Sequence, residues 1–277
     1  MVQLGGVFVK IKVVLWLIVF CSFQGLAADV VKLNRGHSDK DVRHLYNWEV
    51  VNRALELTES EFGSYSIEVT GEAIPNHQRL RELLLNRYLN VAMQLTNEEW
   101  EQTIEPIRVP IRFGAYTQRL MLIHKKNADA FKKINTLQDL QAFSAGVRQS
   151  WTTKNTLIKN GFLTVPAYSY DALFAMLNKG RFDFLLRGVH EIYPELEARK
   201  DEFPDLIIEP HLVVNVPNSH YYIFVSPETP HIKERLTKGL QVMLENNEMK
   251  ALFDKYYASY FEKAELGNRT EIIFDNP

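Results

Sequence analysis

Cysteine is nearly missing from this sequence. One occurs in 277 residues, Cys21, so no intrachain disulfide can form and no cysteine-ligated zinc site can be assembled. Charge of one sign is also lacking: 32 Lys and Arg stand against 34 Asp and Glu, a net of -2. There is no basic block and no acidic tail, so nothing in the chain pulls in bulk on nucleic acid. No internal repeat and no low-complexity stretch interrupts it. The familiar catalytic signatures are missing as well. There is no G-x-S-x-G elbow, no G-x-x-x-x-G-K phosphate loop and no G-x-G-x-x-G fingerprint. His190-Glu191 opens like a zinc-protease helix, but the second histidine would fall at Pro194. The eight histidines show no metal spacing. Glu98 and Glu99 are adjacent, which is no basis for a glycosidase pair. These absences point away from an enzyme, a metal and a cofactor.

What is present begins at the N-terminus. Lys10 and Lys12 precede the apolar run Val13 to Phe20, and Gly25, Leu26, Ala27 and Ala28 follow. A basic start, a short apolar centre and a small-residue end are the parts of a secretory signal peptide over 1–28. The run is too short for the roughly 20 residues that cross a bilayer. Cleavage would remove Cys21 and both lysines, leaving a thiol-free chain whose net charge moves from -2 to -4. Such a chain is indifferent to an oxidising compartment, and a periplasmic location is expected.

From residue 29 the pattern alternates. Val30–Leu33, Tyr65–Val69 and Asn90–Leu95 read as strands, separated by helical spacing at Leu45 to Leu57 and Leu80 to Tyr88. After the proline-punctuated stretch Pro106 to Pro110, the alternation restarts at Leu120–Ile123 and runs to Phe182–Leu186. Pro194, Pro204, Pro210 and Pro217 read as turns, Tyr221–Val225 as a strand, and two amphipathic helical stretches close the chain. The fold class is therefore α/β, with two mixed or parallel sheets flanked by helices. One unit is interrupted by another, giving lobe 1 over 29–117, an inserted lobe 2 over 118–220, and a return to lobe 1 over 221–277. A cleft crossed by two strands follows, with hinge closure around a ligand.

The run Leu95-Thr-Asn-Glu-Glu99 with Ile104 to Ile111, the segment Ala145 to Thr153, the stretch Gly180 to Arg187, and Tyr222 to Ser226 occur in a telling order. Together they resemble the family 3 extracellular solute-binding proteins, amino-acid-type binders with a type II periplasmic-binding fold. The resemblance implies a monomer that binds a small molecule and hands it to an inner-membrane permease of the ABC type, or reports it to a membrane sensor. It also exposes departures. The family's carboxylate-clamping arginine, three residues after the threonine, corresponds to Glu99. Its ammonium-binding aspartate corresponds to Gly188. A carboxylate cannot stand in for a guanidinium fork, so an ordinary amino acid is not the expected ligand.

The resemblance places Arg187 at the cleft end of a buried strand, where it could hold an anion or form a structural pair with Glu191. Trp151, Thr152 and Thr153 fall at a helix start that could present backbone donors and a stacking indole; capping by Thr152 and core packing by Trp151 are the plainer roles. Tyr116 and Arg119 lie at the first crossing, and His220 with Tyr221 at the second. Arg35 and His37 follow the first strand, near the expected cleft mouth.

Overall fold

Tyr46, Val50, Val51, Ala54 and Leu55 recur at helical spacing, and burying that stripe is what fixes the first helix. The computed structural model describes residues 28–35, 43–69, 77–85 and 88–276. The expected signal peptide and His37 lie outside the described residues, apart from Ala28. In chain order the first lobe contains β1 (Asp29–Leu33), α1 (Arg43–Glu56), α2 (Glu59–Phe62), β2 (Tyr65–Val69), α3 (His77–Leu85), β3 (Val91–Leu95), α4 (Glu98–Glu101) and β4 (Pro106–Ile107). The second lobe opens with β5 (Gln118–His124), α5 (Ala128–Phe131), α6 (Leu137–Leu140), β6 (Ala145–Arg148), α7 (Thr153–Lys159) and β7 (Thr164–Ala167). It continues with α8 (Tyr170–Asn178), β8 (Phe184–Gly188), α9 (Val189–Glu197), β9 (Leu206–Ile208) and β10 (Leu212–Asn215). Then come β11 (Tyr221–Val225), α10 (Pro230–Glu245), α11 (Glu248–Ala264) and β12 (Thr270–Ile273).

In the first lobe β1 and β2 pair in parallel, while β11 lies antiparallel between β3 and β4. Asn90 joins the two sets. Its side chain accepts from Lys32 N at 2.6 Å and donates to Val30 O at 2.7 Å, so β1 is held beside β3 without a regular ladder. Behind this sheet α10 lies on α1 so closely that a Cβ at Gly239 would stand 2.1 Å from the Ala54 carbonyl oxygen. Arg235, fully buried, pairs with Asp29 at 2.8 Å and donates to the carbonyls of Leu55 and Gly63. One guanidinium thus ties α10 to α1 and to the start of the sheet.

The second lobe is one mixed sheet, ordered β12-β10-β5-β8-β6-β7, with β9 on the far end of β5. All five residues of β8 are buried, as expected of a strand covered on both faces. The core between sheet and helices contains Phe131, Phe174, Phe184 and Leu186.

Three features depart from the sequence reading. Pro194 lies inside α9 rather than in a turn. It cannot donate to the His190 carbonyl, but Glu191 and Glu195 both pair with Arg187 and hold the helix across that gap. Second, β7, β9, β10 and β12 are strands that had not been foreseen. Third, the stretch 221–277, expected wholly in lobe 1, ends in lobe 2: β12 pairs in parallel with β10, and Phe274 packs against Phe162. The lobes are therefore joined by a third passage behind the two crossings.

Candidate ligand-binding cleft

The crossings run between β4 and β5 and between β10 and β11, and they are bonded to each other by Val216 N donating to Thr117 O at 2.8 Å. In front of them lies a cleft of about 640 Å³, a volume suited to a small organic molecule. Its first-lobe wall is the end of β3 and the turn into α4, from Leu95 to Trp100. Its second-lobe wall is the loop after β6, Gln149 to Thr152, with Asn155, Thr156 and Arg119. Both walls stand at the carboxyl ends of strands, where open α/β sheets present their loops.

Local chemistry shapes the first wall. The Asn97 side chain accepts from Trp100 N at 3.0 Å and starts α4. The Thr96 hydroxyl donates to Glu101. That bond holds Glu101 below the ordinary carboxylate range, burial opposing it and Arg108 adding to it. Glu99 pairs with Arg81 at 2.5 Å. Glu98 accepts only from the Gln102 side chain, at 3.2 Å, and has no cationic partner among the described residues.

Arg119 dominates the second wall. It is 4% exposed. Its Nε donates to Tyr116 O at 3.0 Å and its Nη1 to Thr153 Oγ1 at 3.1 Å, while among the described residues Nη2 makes no hydrogen bond and no carboxylate forms an ion pair with it. Burial pushes its affinity for the proton down, Glu191 and Tyr116 opposing and Arg187 adding to the effect. A desolvated cation with no carboxylate in direct contact is an expensive arrangement.

Arg187 sits differently. Its Nε and Nη2 meet Glu195 at 2.8 and 2.6 Å, and Nη2 meets Glu191 at 2.9 Å. The guanidinium lies 4.5 Å from the Trp151 ring centroid. It is absent from the cleft lining, and the pair with Glu191 considered from sequence is present. Of the other residues singled out, Trp151 and Thr152 line the cleft with Arg119. Thr152 makes no capping bond to α7, so its hydroxyl is spare. Thr153 is buried and spends its oxygen on Arg119. Tyr116 faces the hinge, stacked on Tyr221 at 5.0 Å with its hydroxyl 3.4 Å from Glu191. His220 is exposed and stacks on Tyr222, while its carbonyl accepts from Thr96 N.

Sequence reasoning missed Arg112. It is buried behind the cleft in a box of Tyr46, Tyr116, Tyr221 and Tyr257, with ring centroids 4.7 to 5.7 Å from its guanidinium carbon. It also donates to Asn47 at 2.8 Å. Those rings come from distant parts of the chain, so no local pattern announces them. The spare polar groups of Gln149 and Asn155 were likewise unsigned.

No protein-family model matches this chain, and no curated protein matches it by sequence. Solved structures do. An arginine-specific periplasmic binding protein from Salmonella typhimurium superposes with a TM-score of 0.61 at 15% identity, covering 83% of this chain and 100% of that one. The substrate-binding protein of an amino acid ABC transporter gives 0.58 at 13%, covering 83% and 99%. A histidine kinase sensor domain with similarity to periplasmic binding proteins gives 0.60 at 13%, covering 84% and 96%. At such identities the likeness speaks for the fold: the chain has the two-lobed α/β architecture of periplasmic binding proteins.

Proposed function

We propose that this protein is a periplasmic solute-binding protein, exported by a cleaved signal peptide, that captures a small organic ligand by closing its lobes. The observation that supports this most is Arg119, a nearly buried guanidinium with an open Nη2 on the wall of an interlobe cleft. An anionic group of the ligand would complete its hydrogen bonds, and the Trp151 ring and Thr152 hydroxyl would contact the rest. Contacts to both walls favour the closed form, and that differential affinity is what drives closure. Arg187 supports the site from behind by holding the Trp151 ring. The protein works as a monomer, catalyses nothing, needs no cofactor and binds no nucleic acid. Its partner is an inner-membrane permease of the ABC type. A sensory role is the second reading, supported by the likeness to a kinase sensor domain, whose TM-score of 0.60 lies between those of the two binding proteins.

A thermal-shift screen tests the proposal, using amino acids, organic acids, sugars, polyamines and nucleosides. A ligand at about 100 times its Kd adds roughly 2.7 kcal/mol, a rise of about 5–11 °C for a chain of this size. Arg119→Gln should abolish that rise. Silence across every class would refute ligand capture.

A further inference from the structure

The chain after β12 runs to the cleft. Phe274, fully buried, packs on Phe162 with ring centroids 5.0 Å apart, and its N donates to Asn215 O at 2.8 Å. At the next residue Asn160, 6% exposed just past the end of α7, acts as a strand partner would. Its Oδ1 accepts from Asp275 N at 2.9 Å and its Nδ2 donates to Asp275 O at 2.8 Å. Lys159 Nζ then donates to Asn276 O at 2.9 Å. These bonds lay residues 274–276 against α7 and bring Asn276 to the second-lobe wall, where it lines the cleft with Asn155 and Thr156 of the same helix. A buried amide with both ends spent on one residue of this arm fixes that residue's place.

We infer that this arm is part of the binding site, with Asn276 a specificity residue for a ligand that carries hydroxyl groups beside the anionic group taken by Arg119. This rests on the binding role proposed above and adds a residue and a ligand class. Among the described residues of the second-lobe wall, Arg119 is the one charged side chain; Gln149, Ser150, Thr152, Asn155, Thr156 and Asn276 are polar and neutral. Each of these amides and hydroxyls offers both a donor and an acceptor. A ligand hydroxyl does the same, so it meets them in either sense. A methylene in its place would leave them without partners once closure expels water. A second anionic group would lose its water and find no counter-charge on this wall. Sugar acids and polyol phosphates share the matching chemistry, one anionic group and several hydroxyls. The arm sets the Asn276 contribution: with the Asn160 anchor broken, only the Lys159 bond would hold residue 276 at the wall.

The test uses six-carbon probes. Gluconate and sorbitol 6-phosphate carry an anion and hydroxyls; hexanoate lacks the hydroxyls, sorbitol lacks the charge, and glucarate has a second carboxylate. In calorimetry on the purified protein, gluconate or sorbitol 6-phosphate should bind about tenfold or more tighter than the other three, the size of one charge-assisted contact. Which of the two binds tighter tells a carboxylate from a phosphate ligand. Asn276→Ala should then weaken that probe about three- to tenfold, the size of one neutral hydrogen bond. Only the carbonyl of residue 276 is bonded within the fold, so the melting temperature without probe should stay unchanged in this variant. Asp275→Pro removes the N–H given to Asn160, leaves the sequence of α7 intact, and should weaken the probe to a similar extent. If Asn276→Ala leaves the affinity unchanged, Asn276 is no ligand contact and the inference is overturned; if Asp275→Pro alone is silent, the anchor's role is overturned. If hexanoate, sorbitol or glucarate binds best, the ligand class is overturned while ligand capture stands. If the probes are silent, a hydroxylated anion from the broader screen supports the class and replaces them, and a ligand of any other kind overturns it. If nothing binds in either, both fail.

Discussion

Arg187→Ala would take the bonding guanidinium away from two buried carboxylates. Arg187, Glu191 and Glu195 are each at most 4% exposed in their side chains, and the guanidinium bonds both acids within 2.9 Å. Glu195 keeps the Tyr170 hydroxyl at 2.7 Å and Glu191 keeps Gly188 N at 3.0 Å, but both lose the guanidinium that bonds them. Removing one member of a buried pair costs about 3–5 kcal/mol, because the buried charge left behind loses its direct counter-charge and is not resolvated. At about 2–4 °C per kcal/mol for a chain of this size, the melting temperature should fall by roughly 6–20 °C. Differential scanning calorimetry without ligand reads this directly. Pairing Arg187→Met with Glu195→Gln should recover part of the loss, since the charge imbalance then shrinks and the glutamine can still accept from Tyr170. A fall below about 2 °C in the single variant, together with lost ligand affinity, would refute the reasoning. Arg187 would then be a ligand contact, the alternative that its sequence position left open.

Other outcomes follow from the same structure. Gly239→Ala should destabilise by about 1–3 kcal/mol despite a helix-propensity gain of about 1 kcal/mol, because the obstacle is the Ala54 backbone rather than a movable side chain; urea denaturation checks the sign. Glu248 is held below its ordinary value of 4.5, first by its bonds to Arg53. Its stabilisation is therefore complete above about pH 4.5 and disappears as pH falls through the depressed value. The melting-temperature gap between the protein and Glu248→Gln should be constant near neutrality and close in acid. Tyr193 of α9 stacks on Tyr260 of α11 at 5.6 Å and 5°. Tyr260→Ala should weaken the third passage by about 0.5–1.5 kcal/mol and broaden the lobe-angle distribution seen by small-angle scattering; an unchanged profile would show that this stack does not restrain the hinge.

The element pattern was largely legible because burial imposes periodicity. The stripe on α1, the runs at β3 and β8 and the alternation at β2 each announce themselves locally. Short edge elements were not legible. β7 has Pro166 at its third position, and β12 carries three exposed residues of four, so neither resembles an apolar strand. α9 was hidden by Pro194, whose local effect is overruled by the Arg187 pairs.

For the cleft, the sequence by itself determined which residue types were on hand at the ends of β3 and β6. It could not assign partners. Arg119 and Arg187 look equivalent in sequence, both on buried strands near a crossing. Only the tertiary structure separates them: α9 brings Glu191 and Glu195 into direct contact with Arg187, while β5 carries Arg119 to a wall where no carboxylate of the described residues bonds it. Charge is a property of the residue. Whether it is already neutralised depends on distance and desolvation, and those exist only once the chain has folded.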